Sequence, residues 1–546
     1  MMTRTPALVT PARSGKLPNA DVHPPLTLGA LLARTVEAHG DLPAVVDSKK
    51  SVSWRGIAGL VEGYAAYMKA AGARRGDRVA LWLPNSADYL ALIFAAARLG
   101  VIAVHVNPRF RAHEVGALLR RTTPSLLVTE LSTGEDYGEV LAGIPGADKR
   151  SLQRIFVRGT TAPPRSLDGL PVEVLHAAGT AADVGQPDDP CALFTTTGST
   201  GEPKLVLHGQ RGLAVHHVYA ARRLGFDRTG AVLLANLPFS GIYGHSRLMM
   251  AVVGGAGIAL QDSADTDALI RRHKVTHMSG FADVLARLVQ SARGRPYDSI
   301  RLFSFASSPF VDNDAVCAAA AALGLTLGTG YGSTEIMTPF AISPDGWGTA
   351  PGGTPAHPQA HFAIRDPETG RELPEGEPGA LMIASPCLFL GYYDDPAATA
   401  AAWTEDGMFR TGDRAYRRGD GFVFLGRYDE TIRLGNYLVD PAEIEQFLRL
   451  RPEILNARVV GAATTDSGPR MVAFVIVRAG HAFNEGALLE ACREQIASFK
   501  VPARIVALDA FPVSEGANAR KIRLDVLRER AATLLREVDL RRRKLQ

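Results

Sequence analysis

The segment from residue 76 to residue 107, GDRVALWLPNSADYLALIFAAARLGVIAVHVN, limits the folds open to this chain more than any other. Its apolar runs Arg78 to Leu83 and Val101 to Val106 predict two buried strands, and the residues between them follow a helical period. Asn85 or Ser86 can cap this helix. The residues predicted to share one helical face are Leu90, Ile93, Phe94 and Ala97. A strand, a helix and a second strand in this order form a β-α-β crossover, which predicts helices layered on a mostly parallel sheet.

The rest of the chain first extends this pattern and then departs from it. Short apolar runs such as AVLLANLP, GIAL and VTHMSG alternate with helical segments in the middle of the chain. From about residue 355, turn residues and alternating side chains in RDPETGRELPEGEPGALMIAS predict antiparallel structure. We therefore predict an α/β fold with a flexible arm at residues 1–25. A large domain of α/β layers plus a β-rich subdomain follows at 26–428, and a small α+β domain at 429–546.

Composition and charge argue against several classes of protein. Hydrophobic residues make up 46% of the chain and charged residues 21%, as in ordinary globular proteins. The net charge of +4 is too small to indicate a nucleic-acid partner, and no run of about 18 apolar residues predicts a membrane span. The four cysteines form no CxxC pair, which is typical of a reducing compartment. We predict a cytoplasmic protein whose basic end, LRRRKLQ, is a solvated helix end or makes weak peripheral contact with an anionic membrane.

The stretch FTTTGSTGEPK, which ends at Lys204, concentrates hydroxyls and glycines ahead of a lysine. Glycines let backbone N–H groups approach phosphate oxygens, while hydroxyls and an ammonium group add donors and positive charge. The spacing differs from that of a Walker loop, GxxxxGK[ST]. The stretch is therefore either another kind of phosphate-binding loop or a polar surface loop. The residues predicted to bind phosphate are Thr196, Thr197, Gly198, Ser199, Thr200, Gly201 and Lys204.

Three later segments offer further contacts to a nucleotide. In GTGYGSTEI, Tyr331 offers a ring for stacking and Glu335 an oxygen ligand for Mg²⁺ held jointly with phosphates, unless the segment is only a capped turn. In MFRTGDRAYRRGDGFVFLGRYDE, Asp413 can accept hydrogen bonds from ribose hydroxyls, unless TGD is an ordinary turn. Arg427 in the same segment can reach ribose or phosphate. Lys521 lies in a polar loop before the last helix, where a merely exposed lysine is the alternative.

Taken together, these segments resemble the adenylate-forming superfamily, which contains acyl-CoA synthetases, luciferases and nonribosomal peptide adenylation domains. The resemblance covers the chain from about residue 25 to about residue 535. The motifs that carry it are TTGSTGEPK, YGSTE at 331–335, TGD at 411–413, GRYD at 426–429, FKVP at 499–502 and RKI at 520–522.

The resemblance implies an enzyme that joins a carboxylic acid to ATP as acyl-AMP, releases pyrophosphate, and then transfers the acyl group to the thiol of coenzyme A. It implies catalytic roles for Lys521, Glu335 and Thr334, with Mg²⁺ on Glu335. The further residues that it implies for ATP binding are Ser308, Tyr331, Gly332, Ser333, Asp413 and Arg427. It also implies that the small domain is mobile and rotates about a hinge at Asp429, presenting Lys521 in the first step and a thiol tunnel in the second.

The hairpin after the hinge departs from the family pattern. Asn436 stands where the family has glycine, and Leu438 where it has a basic residue. In the family this hairpin lines the thiol tunnel, to which Asn436 and Tyr437 are assigned here. The departures leave two acceptors open, coenzyme A and the phosphopantetheine of an acyl carrier protein. A catalytically silent nucleotide-binding relative is the third alternative.

The segment LPFSGIYG differs from the family at the acid pocket, because Gly241 replaces a bulky histidine or aromatic residue. The missing side chain leaves room for a substrate. The residues predicted to line this pocket are Gly241, Ile242, Tyr243, Met278, Phe281 and Met337. Their character predicts a hydrophobic acid, fatty or aromatic. His245 and His277 are predicted to be structural histidines with satisfied ring nitrogens.

Overall fold

A computed structural model describes residues 26–131, 137–159, 164–196, 203–262, 265–306, 313–343, 352–428, 432–434, 437–439, 441–464, 467–496, 500–515 and 520–545. The predicted arm, residues 1–25, lies outside this part of the chain.

The helices of the described residues are α1 Leu28–His39, α2 Trp54–Ala70, α3 Ala87–Arg98, α4 Ala112–Thr122, α5 Tyr137–Ala142, α6 Gly146–Lys149, α7 Gln210–Leu224, α8 Ile242–Gly254, α9 Thr266–His273, α10 Ala282–Ala292, α11 Asn313–Ala322, α12 Pro396–Ala401, α13 Pro441–Arg449, α14 Glu485–Gln495 and α15 Leu524–Leu545. None of them combines the length and apolar composition needed to cross a bilayer.

The strands are β1 Pro43–Val46, β2 Ser51–Ser53, β3 Arg78–Leu81, β4 Ile102–His105, β5 Leu126–Glu130, β6 Arg154–Arg158, β7 Ser166–Leu167, β8 Leu170–Val174, β9 Pro190–Thr195, β10 Leu205–Gly209, β11 Val232–Ala235, β12 Gly257–Leu260, β13 His277–Phe281, β14 Leu302–Ala306, β15 Leu327–Gly328, β16 Gly330–Ser333, β17 Met337–Ile342, β18 Gly352–Pro355, β19 His361–Arg365, β20 Gly379–Ala384, β21 Gly391–Tyr392, β22 Phe409–Arg418, β23 Gly421–Arg427, β24 Ile432–Leu434, β25 Tyr437–Val439, β26 Ile454–Thr464, β27 Ser467–Val477, β28 Arg504–Ala507, β29 Val513–Glu515 and β30 Arg520–Ile522.

Two large sheets form the N-terminal part of the molecule, and each has a parallel centre. One has the order β15-β14-β13-β11-β12-β1-β2, and the other β21-β10-β9-β4-β3-β5-β6-β8-β7. Residues of α1, α2, α3, α7 and α8 share one buried apolar cluster with strands of both sheets. The predicted α/β layering is therefore confirmed.

The β-α-β crossover forms as the sequence predicts, with one difference in burial. Of the two proposed caps, Ser86 is the one used, and its hydroxyl accepts a hydrogen bond from the Tyr89 N–H at 3.0 Å. Helix α3 is buried on nearly every side rather than on a single face. It packs against α1 and α2 as well as the sheet region, which explains why so many of its residues are apolar.

The antiparallel region begins earlier than predicted. Its sheet has the order β16-β17-β18-β23-β22-β20-β19, so it starts at Gly330 and not near residue 355. The chain passes from β15 of a parallel sheet into β16 across one residue, Thr329. This short connection places the antiparallel sheet at the edge where the parallel strands end.

The C-terminal part is a smaller α+β unit. Its sheet has the order β26-β27-β28, and α13 and α15 pack on β26. Separate apolar clusters lie on its two sides, one including Ile444 and Leu448 of α13, the other Leu527 and Leu535 of α15. The predicted small α+β portion is thus present.

Candidate active site

The predicted phosphate loop connects two paired strands. β9 and β10 run antiparallel, with Thr195 opposite Leu205. Beyond that pair, the Thr196 N–H donates to the Lys204 carbonyl at 2.9 Å, and the Lys204 N–H donates to the Thr196 hydroxyl at 3.2 Å. These bonds fix both ends of the loop. The loop residues Thr197, Gly198, Ser199, Thr200 and Gly201 lie outside the described part, so their phosphate contacts stay a prediction.

A second side of the site forms around Glu335, in the turn between β16 and β17. The Ser333 hydroxyl donates to Glu335 Oε2 at 2.8 Å, and the Tyr392 hydroxyl donates to Oε1 at 3.0 Å. The Lys204 ammonium lies 4.5 Å from the centroid of the Tyr392 ring, a cation–π contact. Tyr392 therefore joins the phosphate loop to the carboxylate. Sequence reasoning missed this residue, although its aromatic ring in the polar run GYYDDP is a detectable signal.

The donor set at Glu335 fits a magnesium ion held mainly by substrate phosphates. Within the described ranges, no three His, Cys, Asp or Glu side chains converge on a metal site made by protein alone. Mg²⁺ usually keeps several waters and binds one or two carboxylates together with phosphates. Each Glu335 oxygen accepts one hydrogen bond from the described residues and has a second lone pair to offer. Glu335, beside the predicted phosphate loop, therefore provides the one protein carboxylate that such a magnesium ion needs.

The turn that carries Thr334 and Glu335 is tightly constrained. A Cβ on Gly332 would lie 2.4 Å from the Met337 carbonyl oxygen, so only glycine fits there. Met337 itself has φ of 64°, a left-handed conformation that is costly for a side chain of this size. His208 of β10 approaches the Thr334 carbonyl oxygen at 2.8 Å through its Nε2 atom. These constraints hold Thr334 and Glu335 next to the strand that follows the phosphate loop.

Asp413 and Arg427 meet across the β22–β23 pair, as their predicted common role requires. The two residues are direct partners in the register, and Arg427 Nη1 lies 3.1 Å from Asp413 Oδ1. The Tyr331 hydroxyl donates to Asp413 Oδ2. Although Arg427 forms an ion pair with it, Oδ1 makes no hydrogen bond of good geometry with any described group. Asp413 thus offers a buried acceptor to a ligand.

Burial dominates the electrostatics of this pair. Asp413 is 4% exposed, and desolvation raises the pKa of its carboxyl to about 6 in spite of the opposing charge on Arg427. Tyr331 is 6% exposed, and its ring contacts Phe422 and Phe424 at centroid distances of 5.2 and 5.5 Å. Tyr331 therefore supports Asp413 from within the core, and its stacking on adenine stays a prediction.

A cavity of about 610 Å³ lies between α8, the α7 end and strands β13 to β17. It brings together Ile242, Tyr243 and Phe281 of the predicted acid pocket with the 331–334 segment. Gly241 caps the N-terminus of α8 immediately beside them. Asn85 positions this helix start, because its side chain donates to the Leu237 carbonyl at 2.8 Å and accepts from the Phe239 N–H at 2.8 Å.

Met278 and Met337 do not line this cavity. Alternate residues of a strand point to opposite faces, so His277, Ser279 and Phe281 share one face of β13, whereas Met278 faces the other. Met278 is buried in a core cluster with Phe303 and Leu285. Met337 belongs to the large core cluster, with its methyl group against Gly212 of α7. Both methionines have the surroundings of core residues.

The two histidines predicted to be structural differ from each other. His277 uses both ring nitrogens: Nδ1 lies 2.7 Å from the Thr276 hydroxyl, and Nε2 lies 2.9 Å from the Leu224 carbonyl. His245 instead makes no hydrogen bond of good geometry with described groups through either nitrogen. Its ring packs at 5.1 Å from His105 and 4.9 Å from Phe194. The prediction of satisfied nitrogens is therefore wrong for His245, which is surrounded by rings.

Several predicted site residues are not brought into this arrangement. Lys521 lies on β30, where its backbone is opposite Ser514 of β29, and Tyr437 lies on β25 opposite Leu434. Ser308, Asp429 and Asn436 lie outside the described residues. The roles of these residues in catalysis, hinge motion and thiol binding stay predictions.

Comparison with known proteins agrees with this arrangement. Residues 32–393 match the family model described as AMP-binding enzyme, and residues 443–516 match the one described as AMP-binding enzyme C-terminal domain. Lys204 and Glu335 lie within the first match, whereas Asp413 and Arg427 lie between the two.

Three relatives illustrate the breadth of the match. The chain is 28% identical to a 2-hydroxy-7-methoxy-5-methyl-1-naphthoate–CoA ligase of Streptomyces carzinostaticus, with 89% of this chain and 90% of that protein covered. It is 29% identical to the pyochelin synthase PchD of Pseudomonas aeruginosa, with 93% of each covered. A solved structure of the O-succinylbenzoate coenzyme A synthetase of Bacillus subtilis, in complex with ATP and magnesium ion, is 25% identical. Its TM-score is 0.71, and the match covers 88% of this chain and 96% of that one.

Proposed function

The chain belongs to the AMP-binding enzyme family and is an acid–thiol ligase, and on this premise we propose that it activates a carboxylic acid with an apolar body. The acid reacts with ATP to give acyl-AMP and pyrophosphate, and the acyl group then passes to coenzyme A. The observation that carries the proposal is that side chains of β16 contact both Asp413 and Glu335. Tyr331 there supports Asp413, and Ser333 supports Glu335, beside the phosphate-loop strands.

In the first step an oxygen of the acid attacks the α-phosphorus of ATP, and the bond from that phosphorus to the β-phosphate oxygen breaks. Lys204 and the loop hydroxyls bind the departing pyrophosphate. Asp413 accepts hydrogen bonds from the ribose and fixes the nucleotide. Lys521 neutralises charge where the carboxylate meets the α-phosphate. Magnesium, when bound at Glu335, reduces the negative charge of the phosphates.

In the second step the thiolate sulfur of coenzyme A attacks the acyl carbon, and the bond from that carbon to the AMP oxygen breaks. The small domain rotates about Asp429 between the steps, exchanging Lys521 for the hairpin with Asn436 and Tyr437. The body of the acid occupies the cavity lined by Ile242, Tyr243 and Phe281. The side chains of these three residues favour fatty or aromatic acids.

The thiol of an acyl carrier protein is the second candidate acceptor. Asn436 and Leu438 favour it, because they change the hairpin assigned to the coenzyme A tunnel. The relative with the name pyochelin synthase shows that the sequence similarity extends beyond proteins named as coenzyme A ligases.

The test is acid-dependent pyrophosphate release from Mg-ATP across fatty, aromatic and short-chain acids, with coenzyme A or a phosphopantetheinylated carrier protein as the acceptor. The proposal predicts multiple turnovers and acyl-CoA only when a productive acid and coenzyme A are both present. Turnover with the carrier protein alone supports the second acceptor. The absence of acid-dependent release with every acid contradicts both.

A further inference from the structure

One buried cation in the acid cavity, Arg247, has no counter-charge among the described residues. Arg247, on the second turn of α8, is 6% exposed and lines the cavity. Its Nε donates to the Ser279 hydroxyl at 2.8 Å, its Nη1 lies 4.0 Å from the Met250 sulfur, and its guanidinium carbon lies 4.9 Å from the Tyr243 ring centroid. All three partners are neutral. No salt bridge to Arg247 occurs in the described part of the chain.

The neighbouring wall supplies no negative charge either. Among the described residues that line the cavity there is no aspartate or glutamate, whereas three more arginines lie there: Arg223, Arg228 and Arg301. These three are exposed. Arg223 donates to the Thr354 hydroxyl at 2.8 Å, and Arg301 to the Thr229 carbonyl at 3.1 Å. Exposed cations attract an approaching anion only weakly, so the specific site is the buried Arg247.

The position of Arg247 separates it from the reacting end of the cavity. The parallel strands β13 and β14 end together at Phe281 and Ala306. β15 ends at Gly328, opposite Ser304, and the chain continues through the next two residues to Tyr331 and the nucleotide side. Arg247 contacts Ser279, two residues before the end of β13. At about 3.3 Å per residue, this contact lies about 7 Å from that end along the strand.

The guanidinium group of an arginine carries a positive charge in proteins. Leaving such a charge without a partner is costly, and a planar guanidinium forms paired hydrogen bonds with a carboxylate or a sulfonate. The hydroxyl of Tyr243 is directed away from this role, since it donates to the Ser304 carbonyl at 3.0 Å. No described residue supplies this anion, whereas a ligand that enters the cavity can supply it.

Building on the proposed function, we propose that the acid substrate carries a second anionic oxygen group that pairs with Arg247. The reacting carboxylate lies at the nucleotide end, the apolar body lies along Tyr243 and Phe281, and the second carboxylate or sulfonate lies deeper in the cavity. The substrate class is thus a dicarboxylic or sulfo-carboxylic acid with an apolar spacer, in place of a simple fatty or aromatic acid.

The experiment compares matched acids in pyrophosphate release by the full chain: octanoate with octanedioate, benzoate with 4-carboxybenzoate, and benzoate with 4-sulfobenzoate. Because a hydrogen-bonded charge pair at a buried guanidinium discriminates strongly, we expect kcat/KM of the wild type to be about 10- to 100-fold higher for a doubly charged acid. Arg247→Gln removes this preference through KM for the doubly charged acid, and Arg247→Lys keeps part of it. The 4-carboxybenzoate and 4-sulfobenzoate arms distinguish the two anions.

The matched control is Arg55→Gln, which removes an exposed arginine far along the chain and keeps the preference. Preference of the wild type for singly charged acids, or an unchanged preference in a folded Arg247→Gln, overturns the inference and leaves the ligase standing. If no acid supports release, the proposed function fails. Calorimetric binding of octanedioate then still decides the inference: weaker binding to Arg247→Gln supports it, and equal or absent binding overturns it. If Arg247→Gln does not fold, the wild-type acid pairs decide.

Discussion

The nucleotide side and the acid cavity handle charge in opposite ways. On the nucleotide side, Asp413 is paired with Arg427, and Glu335 accepts hydrogen bonds from Ser333 and Tyr392. In the cavity, Arg247 is surrounded by neutral groups. The first arrangement contains an ion pair, Asp413 with Arg427, that is balanced before a ligand arrives, and it suits a ligand that is the same in every turnover. The second is unbalanced, so the charge of the bound acid itself completes it.

Loss of Lys521 should have the largest effect on catalysis and should lower activity with both singly and doubly charged acids. We expect Lys521→Ala to lower kcat for pyrophosphate release by about 100- to 1,000-fold, as for the loss of one preorganised donor to a transition state. ATP binding should persist, because the loop, Asp413 and Arg427 remain. Rapid-quench kinetics and calorimetric ATP binding measure the two quantities. Arg523→Gln, which removes an exposed cation two residues away, is the control, and equal losses in both variants would refute a specific role.

A change at Asp413 should act on ATP alone and sharpen the contrast with the cavity. We expect Asp413→Asn to raise KM for ATP about 10- to 100-fold while KM for the acid stays within about twofold. Since burial raises the pKa of Asp413 to about 6, the wild type should also lose ATP affinity as the pH falls below that value. Steady-state kinetics at pH 5.5 and 7.5 measure this effect. A pH dependence that survives in Asp413→Asn would assign it to another group.

A change at Phe281 should alter the selection of the acid and leave KM for ATP unchanged. Phe281→Leu places a smaller side chain in the cavity wall and so enlarges the cavity. We therefore expect the ratio of kcat/KM values for two acids that differ by one or two methylenes to change about tenfold. KM for ATP should not change. Phe483→Leu alters an exposed phenylalanine and provides the control. A changed KM for ATP with an unchanged acid profile would place Phe281 on the nucleotide side instead.

A separate effect, on stability and not on catalysis, concerns three buried histidine rings. Burial lowers the pKa of His105 to about 3 and those of His208 and His217 to about 4. Because the unfolded chain binds these protons near pH 6.5 and the folded chain does not, stability is lost as the pH falls through 6.5. The loss reaches about 2 kcal/mol per histidine at pH 5. Asp413, with its raised pKa, opposes this trend by gaining stability as the pH falls below 6.

Urea unfolding at pH 7.5 and pH 5 tests this account. In His217→Leu the loss of free energy of unfolding between these pH values should be smaller by about 2 kcal/mol. Replacement of the exposed His361 by leucine should leave the loss as in the wild type. An identical loss in all three proteins would mean that His217 is not neutral by burial.

The sequence alone predicts some features of these two regions and not others. The crossover and the cap at Ser86 follow from local patterns, and so do the motifs that contain Lys204, Glu335 and Asp413. Met278 was misplaced because a residue's strand face depends on a register that the sequence alone does not fix. Tyr392 and Arg247 were missed because their roles arise from contacts between segments far apart in the chain, here with residues 204, 335 and 279. Contacts of this kind become visible only in the folded structure.

Transfer of an oxygen atom from the acid to AMP is the signature of activation as acyl-AMP. A productive acid labelled with ¹⁸O in its carboxylate is incubated with ATP, magnesium and coenzyme A, and the masses of the products are measured by mass spectrometry. The account predicts that AMP acquires one ¹⁸O atom, because the attacking carboxylate oxygen stays on the phosphorus when the thiol displaces it from the acyl carbon. Unlabelled AMP, or label in inorganic phosphate formed together with ADP, would contradict it.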